Sequence, residues 1–184
     1  MYNLRINRER YGMLIKARAE DFARLREFYI YSIENTPQMK ACVRWVYGLH
    51  PTDAMIEAYI DAGSMYFKEE NGMIAAACAL MPRQDEDYRA AFRPSALDDD
   101  EIAVVHILCV HPAFQRRGYA KSMMGEVLAL SRAQGKKALR LDAIKTNTPA
   151  QKLYRSLGFT ECGQQEWDTK NAGCAAFMLY ELML

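Results

Sequence analysis

The apolar run from Ile102 to Val110 is followed at once by His111-Pro-Ala-Phe-Gln-Arg-Arg-Gly118 and then by an amphipathic helical pattern. That order fixes the local fold as strand, short glycine-bearing loop and helix. It also fixes what the junction can hold. The first N–H groups of a helix have no carbonyl partner within it and point at one spot, and the helix dipole adds partial positive charge there. Arg116 and Arg117 place two cations beside that spot. Gly118 removes the side chain that would keep a phosphate away from the backbone. The group such a junction suits is a pyrophosphate.

The helix after the loop runs from about Gly118 to Gln134, with Met123, Val127, Leu128 and Leu130 on its apolar side and Gly135 closing it. Ala138 to Ile144 follows as a strand. A strand, helix, strand succession of this length implies a parallel pair with a right-handed crossover. Pro149 and Gly158 bracket the next helix. Phe159 to Trp167 and Cys174 to Leu184 read as two strands joined by a turn over 168–173.

Upstream of the junction, Gly12 to Arg18 reads as a short strand, with an extra edge segment around Tyr2 to Ile6. Asp21 opens a helix whose Phe22, Leu25, Phe28, Tyr29 and Ile33 recur at helical spacing until Asn35-Thr-Pro37 stops it. Gln38 to His50 is bulky but fits neither the helical nor the strand period. A second helix starts at Pro51-Thr-Asp53 and ends at Gly63. Strands over Ser64 to Lys68 and Met73 to Leu80 are joined through Asn71-Gly72, a strong hairpin signal. Met81 to Asp100 is polar, proline-bearing and acidic and is expected to be a loop. The fold class is therefore α/β with an α+β mixed sheet: antiparallel strands, one parallel crossover and a terminal hairpin, in one domain over 1–184.

Gln115-Arg-Arg-Gly-Tyr-Ala120 resembles the Gln/Arg-x-x-Gly-x-Gly/Ala signature of the GNAT superfamily, the acyl-CoA-dependent N-acyltransferases. Downstream, Asn147-Thr-Pro-Ala-Gln-Lys-Leu-Tyr-Arg-Ser-Leu-Gly-Phe159 is similar to that family's Asn-x-x-Ala-x-x-x-Tyr-x-x-x-Gly-Phe. Ala120 stands where many members have a second glycine, a small-for-small exchange. The resemblance implies a GNAT-like mixed sheet flanked by helices and transfer of an acetyl group from acetyl-CoA, as co-substrate, to a primary amine in a ternary complex. It implies that the main chain of Leu108, Cys109 and Val110 pairs with the pantetheine arm. Gln115, Arg116, Arg117, Gly118, Tyr119, Ala120 and Lys121 would then surround the pyrophosphate, with Asn147 and Tyr154 also at the coenzyme. Tyr154 matches the family tyrosine that returns a proton to the departing thiolate, a role for which a phenol is available in its protonated form at neutral pH.

The resemblance also implies two competing candidates for the base, at positions where arylalkylamine acetyltransferases carry a strand histidine and acetyltransferases of ribosomal-protein N-termini a glutamate. His106 lies four residues before Val110 in the central strand, and imidazole titrates near working pH. Asp142 lies five residues before Asn147, on a strand whose other face holds Leu139 and Leu141. Cys109 has no neighbouring base in its motif and alternates onto the face opposite His106, so it reads as a small buried hydrophobe. By the same resemblance the acceptor meets the 36–50 connection and the 168–173 turn, where Trp45, Tyr47 and Trp167 offer an aromatic wall. The alternative class is an acyl-CoA-binding regulatory module without catalysis. A nucleotide-binding phosphate loop fits poorly, because Gly-Lys-Ser/Thr is missing.

Composition narrows the partners. The 184 residues carry 24 basic and 23 acidic side chains, a net charge of +1, so no global field recruits nucleic acid or an anionic membrane. Five cysteines without Cys-x-x-Cys spacing indicate neither a disulfide framework nor a metal site. With no signal-peptide pattern in Met1 to Arg10 and no apolar stretch near the length of a span, a cytoplasmic location is expected. The acceptor is expected to be a small-molecule amine or a peptide amine, and a homodimer is compatible with the chain.

Overall fold

The central strands are alanine-rich and β-branched apolar runs, the outer ones are more polar, and the helices close over both faces of the sheet they make. The computed structural model describes residues 12–92 and 97–184, and the edge segment expected at Tyr2 to Ile6 lies outside them. Strands β1 (Ile15–Lys16), β2 (Met65–Glu70), β3 (Met73–Met81), β4 (Ile102–Val110), β5 (Ala138–Ile144), β6 (Thr160–Thr169) and β7 (Gly173–Met183) form one sheet in the order β1-β2-β3-β4-β5-β7-β6. All neighbours are antiparallel except β4 and β5, which are parallel as the crossover pattern requires.

Helices α1 (Phe22–Asn35) and α2 (Asp53–Asp61) cover one face, and α4 (Tyr119–Ala133) and α5 (Thr148–Ser156) cover the other. On the first face Leu25, Phe28, Tyr29 and Ile56 pack on Met65, Phe67, Ala77 and Ala79. On the second, Met123 and Val127 of α4 pack on Ala76, Cys78, Ala103 and Val105. Each such large side chain contributes about 1.5–3 kcal/mol on burial, so both helices are held by their apolar stripes rather than by propensity. Thr52 caps α2 by accepting from the Met55 N–H at 3.1 Å.

The polar stretch expected to be a loop is partly helical. Helix α3 spans Glu86–Ala91, and Asp85 caps it by accepting from the Tyr88 N–H at 2.9 Å. Tyr88 and Phe92, one helical turn apart, bury themselves against Ile102 and Val104. What holds this segment is Arg140 of β5, only 2% exposed, which pairs with Glu181 of β7 at 2.7 Å, donates to the Gln84 side chain and lies over the Phe92 ring at 4.5 Å. Gln84 in turn donates to Asp99 at 2.8 Å. A buried guanidinium needs this full set of partners, and satisfying it draws the acidic segment down onto the sheet. The unassigned stretch after α1 contains a π-helical turn, Met39–Val43.

Candidate active site

Two features of β4 open the site. Its parallel pairing with β5 covers only Ile102↔Ala138, Ala103↔Leu139 and Val104↔Arg140, although β4 continues to Val110 and β5 to Ile144. Beyond Val104 the strands diverge, and the β4 edge from Val105 to Val110 faces the gap. The second feature is a bulge: Ala77 opposes Cys109 while Ala79 opposes His106, so β4 carries one residue more than β3 there. Ile107 has φ +46°, a costly conformation for a β-branched residue. The buried Tyr29 hydroxyl donates to the Ile107 carbonyl at 2.8 Å and secures it.

The bulge corrects the expected placement of Cys109. Simple alternation puts it opposite His106, but the inserted residue reverses the phase and both face the α1 and α2 side. Cys109 still fits a small hydrophobe: it is 2% exposed, and burial pushes its thiol up to about 12. A thiol so held supplies almost no thiolate at neutral pH.

The gap is one end of a cleft of about 1000 Å³. Its walls include Leu108, Cys109 and Val110 of the β4 edge, and Gln115, Arg116, Gly118, Tyr119, Ala120 and Lys121 of the loop and first turn of α4. Gly118 has φ +91° and precedes α4, whose first ladder bond runs from the Ser122 N–H to the Gly118 carbonyl at 2.9 Å. The N–H groups of Ala120 and Lys121 lie outside that ladder, at the cleft. Gln115 anchors the loop, donating to Thr36 Oγ1 at 3.1 Å and to the Val110 carbonyl at 3.3 Å. Arg117 is the exception among the expected loop residues. Its guanidinium turns away from the cleft to pair with Glu70 at 3.0 Å and lies 5.0 Å over the Phe114 ring. Asn147 lines the cleft and caps α5, its side-chain oxygen accepting from the Ala150 N–H at 3.3 Å.

At the other end the three expected catalytic residues come together on the same cleft. Tyr154 is 6% exposed, with ring centroids of Phe159 and Tyr180 at 5.9 and 5.6 Å. Burial, reinforced by the nearby Asp142 charge, holds its phenol well above the usual range. Asp142 is no surface residue. It opens to the cleft but is otherwise enclosed, so burial raises its proton affinity, and the Tyr88 hydroxyl that donates to it offsets part of that rise. His106 stacks on Tyr59 at 6.2 Å and meets Tyr88 edge-on at 5.5 Å. Burial, partly countered by Asp85, pulls its imidazole down to about 4 rather than leaving it near neutrality. At neutral pH it is an uncharged ring with an available lone pair.

Tyr88 is the residue that sequence reasoning missed. Its hydroxyl reaches Asp142, its ring touches His106, and Trp167 stacks on it at 6.1 Å. The signal was Asp85 three residues before Tyr88, a capping spacing followed by the i, i+4 apolar pair Tyr88 and Phe92. Trp45 and Trp167 line the cleft as expected, but Tyr47 does not: its hydroxyl bonds to Asp53 and the Arg26 guanidinium lies 5.8 Å over its ring. Among the described residues no group of three or more His, Cys, Asp or Glu side chains could hold a metal, and no helix is long and apolar enough to cross a membrane.

The GNAT acetyltransferase family model matches residues 28–159. A [ribosomal protein bS18]-alanine N-acetyltransferase of Haemophilus ducreyi is 38% identical over 78 residues, 42% of this chain, and the match spans about half (52%) of that relative's length. A GNAT-family acetyltransferase from Listeria monocytogenes superposes with a TM-score of 0.70 at 20% identity, covering 95% of this chain and 98% of that one. The yncA protein of Salmonella typhimurium, solved with its cofactor acetyl-CoA, gives 0.65 at 20% identity, covering 94% and 93%. The seven-stranded mixed sheet, parted between β4 and β5 above a glycine-led helix, is their fold, and since the family model runs from α1 through both motifs, the chain belongs to the GNAT family of acetyltransferases.

Proposed function

We propose that this protein transfers the acetyl group of acetyl-CoA to a primary amine by direct attack within a ternary complex. The observation that carries the reading is the single cleft that runs from the parted β4 edge and the Gly118 loop to Tyr154, His106 and Asp142. The β4 edge offers main-chain groups to the pantetheine amides, and the end of α4 with Arg116 and Lys121 offers N–H groups and charge to the diphosphate. The amine nitrogen attacks the thioester carbonyl carbon, and the carbon–sulfur bond breaks as the amide forms. The proton that the amine loses passes to His106 or Asp142, directly or through water, and the thiolate takes its proton from Tyr154. An uncharged His106 is in the form this requires, and Tyr88 sets how readily Asp142 shares the load. Cys109, with its thiol held protonated, supports direct attack over an acyl-enzyme. Five free thiols support a reducing compartment, the cytoplasm.

The test is a calorimetric titration with acetyl-CoA, followed by free-thiol release with an amine panel that includes a peptide bearing an N-terminal alanine, the acceptor class in the relative's name. Gly118→Val is the matched variant: a β-branched residue at φ +91° both strains the turn and places a side chain at the loop. Coenzyme binding is expected to be lost while the far-UV circular dichroism is kept. Unchanged affinity in a folded Gly118→Val protein removes the reading. Binding without turnover on any amine leaves a coenzyme-binding module instead.

A further inference from the structure

The acceptor end of the cleft has a chemistry of its own. Its walls are rings: Tyr59 and Tyr88 flank His106, Trp167 stacks on Tyr88 with Phe177 behind it at 5.2 Å, and Trp45 lines the same cleft beside His50. Its charges are mostly carboxylates. Among the described residues Asp85, Asp87, Asp142 and Asp168 line this end against Lys170, whereas Arg116 and Lys121 line the loop end. Among the described residues the enclosed imidazole of His106 has ring contacts but no hydrogen-bond partner, so a polar group facing the cleft is left for a ligand.

This end is also strapped over. The segment after α1 is tied to the β5–β7 half of the sheet by three hydrogen bonds. Thr146 Oγ1 donates to the Cys42 carbonyl at 2.6 Å, Asn171 Nδ2 donates to the Arg44 carbonyl at 2.9 Å, and Arg44 Nη1 donates to the Ala172 carbonyl at 3.3 Å. An extended chain threading between those two segments would have to break them. A compact molecule would not.

We infer that the acceptor is a small primary ammonium on an apolar or ring-bearing body, without a carboxylate of its own, rather than a peptide or a lysine on a folded protein. The inference rests on the acetyltransferase reading above. Ring faces and carboxylates attract an organic cation together, and the aromatic walls take its apolar body. A carboxylate on the acceptor would meet Asp85, Asp87 and Asp168 at like charge. The polarity of the cleft, basic at one end and acidic at the other, thus sorts the two substrates to opposite ends.

The experiment compares kcat/KM for phenethylamine and isoamylamine with phenylalanine, a peptide with an N-terminal alanine, and an N-terminally blocked lysine peptide. It uses the full chain at saturating acetyl-CoA, with coenzyme binding measured separately by calorimetry. The amines are expected to exceed phenylalanine and both peptides by at least about tenfold. Trp167→Ala should raise the amine KM by about 2- to 30-fold, the range of one cation–aromatic contact, with the acetyl-CoA KM unchanged. Asp168→Asn, at an exposed position, should narrow the preference for the amine over phenylalanine. The Arg44→Ala/Asn171→Ala protein should gain activity on the peptides. Coenzyme binding with either peptide or phenylalanine as the better acceptor overturns the inference and leaves the acetyltransferase reading standing. Failure to bind coenzyme at all removes both.

Discussion

Replacing Tyr88 by phenylalanine deletes one hydroxyl and keeps the ring that lies against His106 and Trp167. That hydroxyl donates to Asp142, whose carboxylate has no other side-chain donor among the described residues. A hydrogen bond to a charged group contributes about 1.5–3 kcal/mol, and cleft water will replace part of it, so the expected cost at neutral pH is the lower figure, about 1.5 kcal/mol. For a chain of this size that corresponds to a fall in Tm of about 3–6 °C. The pH dependence is the sharper mark. Asp142 holds its proton more tightly folded than unfolded because of burial, so it costs stability as pH rises through the ordinary carboxylate range, from about pH 4 upward. Losing the hydroxyl tightens the folded-state proton further. The deficit of Tyr88→Phe should therefore widen as pH increases above about 4 and shrink below it, where the carboxyl is protonated in both states. Urea unfolding of both proteins from about pH 4 to about pH 8, followed by Trp45 and Trp167 fluorescence, measures it. A deficit that is zero, or equal at both ends of that range, refutes the coupling.

Tyr154→Phe should leave acetyl-CoA affinity nearly unchanged and lower saturated turnover by roughly 10²-fold, the usual cost of losing a general acid; near-normal turnover with rate-limiting chemistry would reduce Tyr154 to a packing residue. His106→Ala should lower turnover and remove a limb of the kcat/KM profile near pH 4, where burial places the imidazole, rather than near neutrality. The same lowered affinity means that wild-type stability associated with His106 is lost as pH falls from about 6.5 toward about 4, and His106→Ala should lack that slope in urea titrations. Lys68→Met strands Glu126, which Lys68 pairs with in the core and which otherwise accepts from the Leu14 N–H at 2.8 Å. It should cost about 3 kcal/mol by denaturant unfolding, the lower end for breaking a buried pair.

The loop end of the candidate site, which we propose for the coenzyme, was legible because it is written locally. Strand, loop, glycine and helix are consecutive in sequence, and Gly118 and the α4 end stand where that order puts them. The ring-lined end was not, for two physical reasons. Tyr88 enters the site through long-range satisfaction of Arg140 by Gln84 and Glu181, and no local window contains those partners. The phase of β4 depends on one inserted residue that Tyr29, from a distant helix, makes tolerable, so counting by twos from His106 gives the wrong face for Cys109. Arg117 shows the reverse case: a basic residue in the right loop whose side chain is claimed by Glu70 across the sheet, leaving only its backbone near the cleft.

Among the described residues, three register pairs between β4 and β5 join the two halves of the sheet along its hydrogen-bonded seam. A coenzyme arm that pairs with the β4 edge, as proposed, adds ladder bonds where that seam runs out, and it binds the folded chain only. Occupancy and folding are then one linked equilibrium. At a coenzyme concentration a hundred times its Kd the folded state gains about 2.7 kcal/mol. A cell that runs short of acetyl-CoA would not merely slow this protein; it would shorten the time the chain survives proteolysis, so that its abundance as well as its rate would follow the supply of activated acetate.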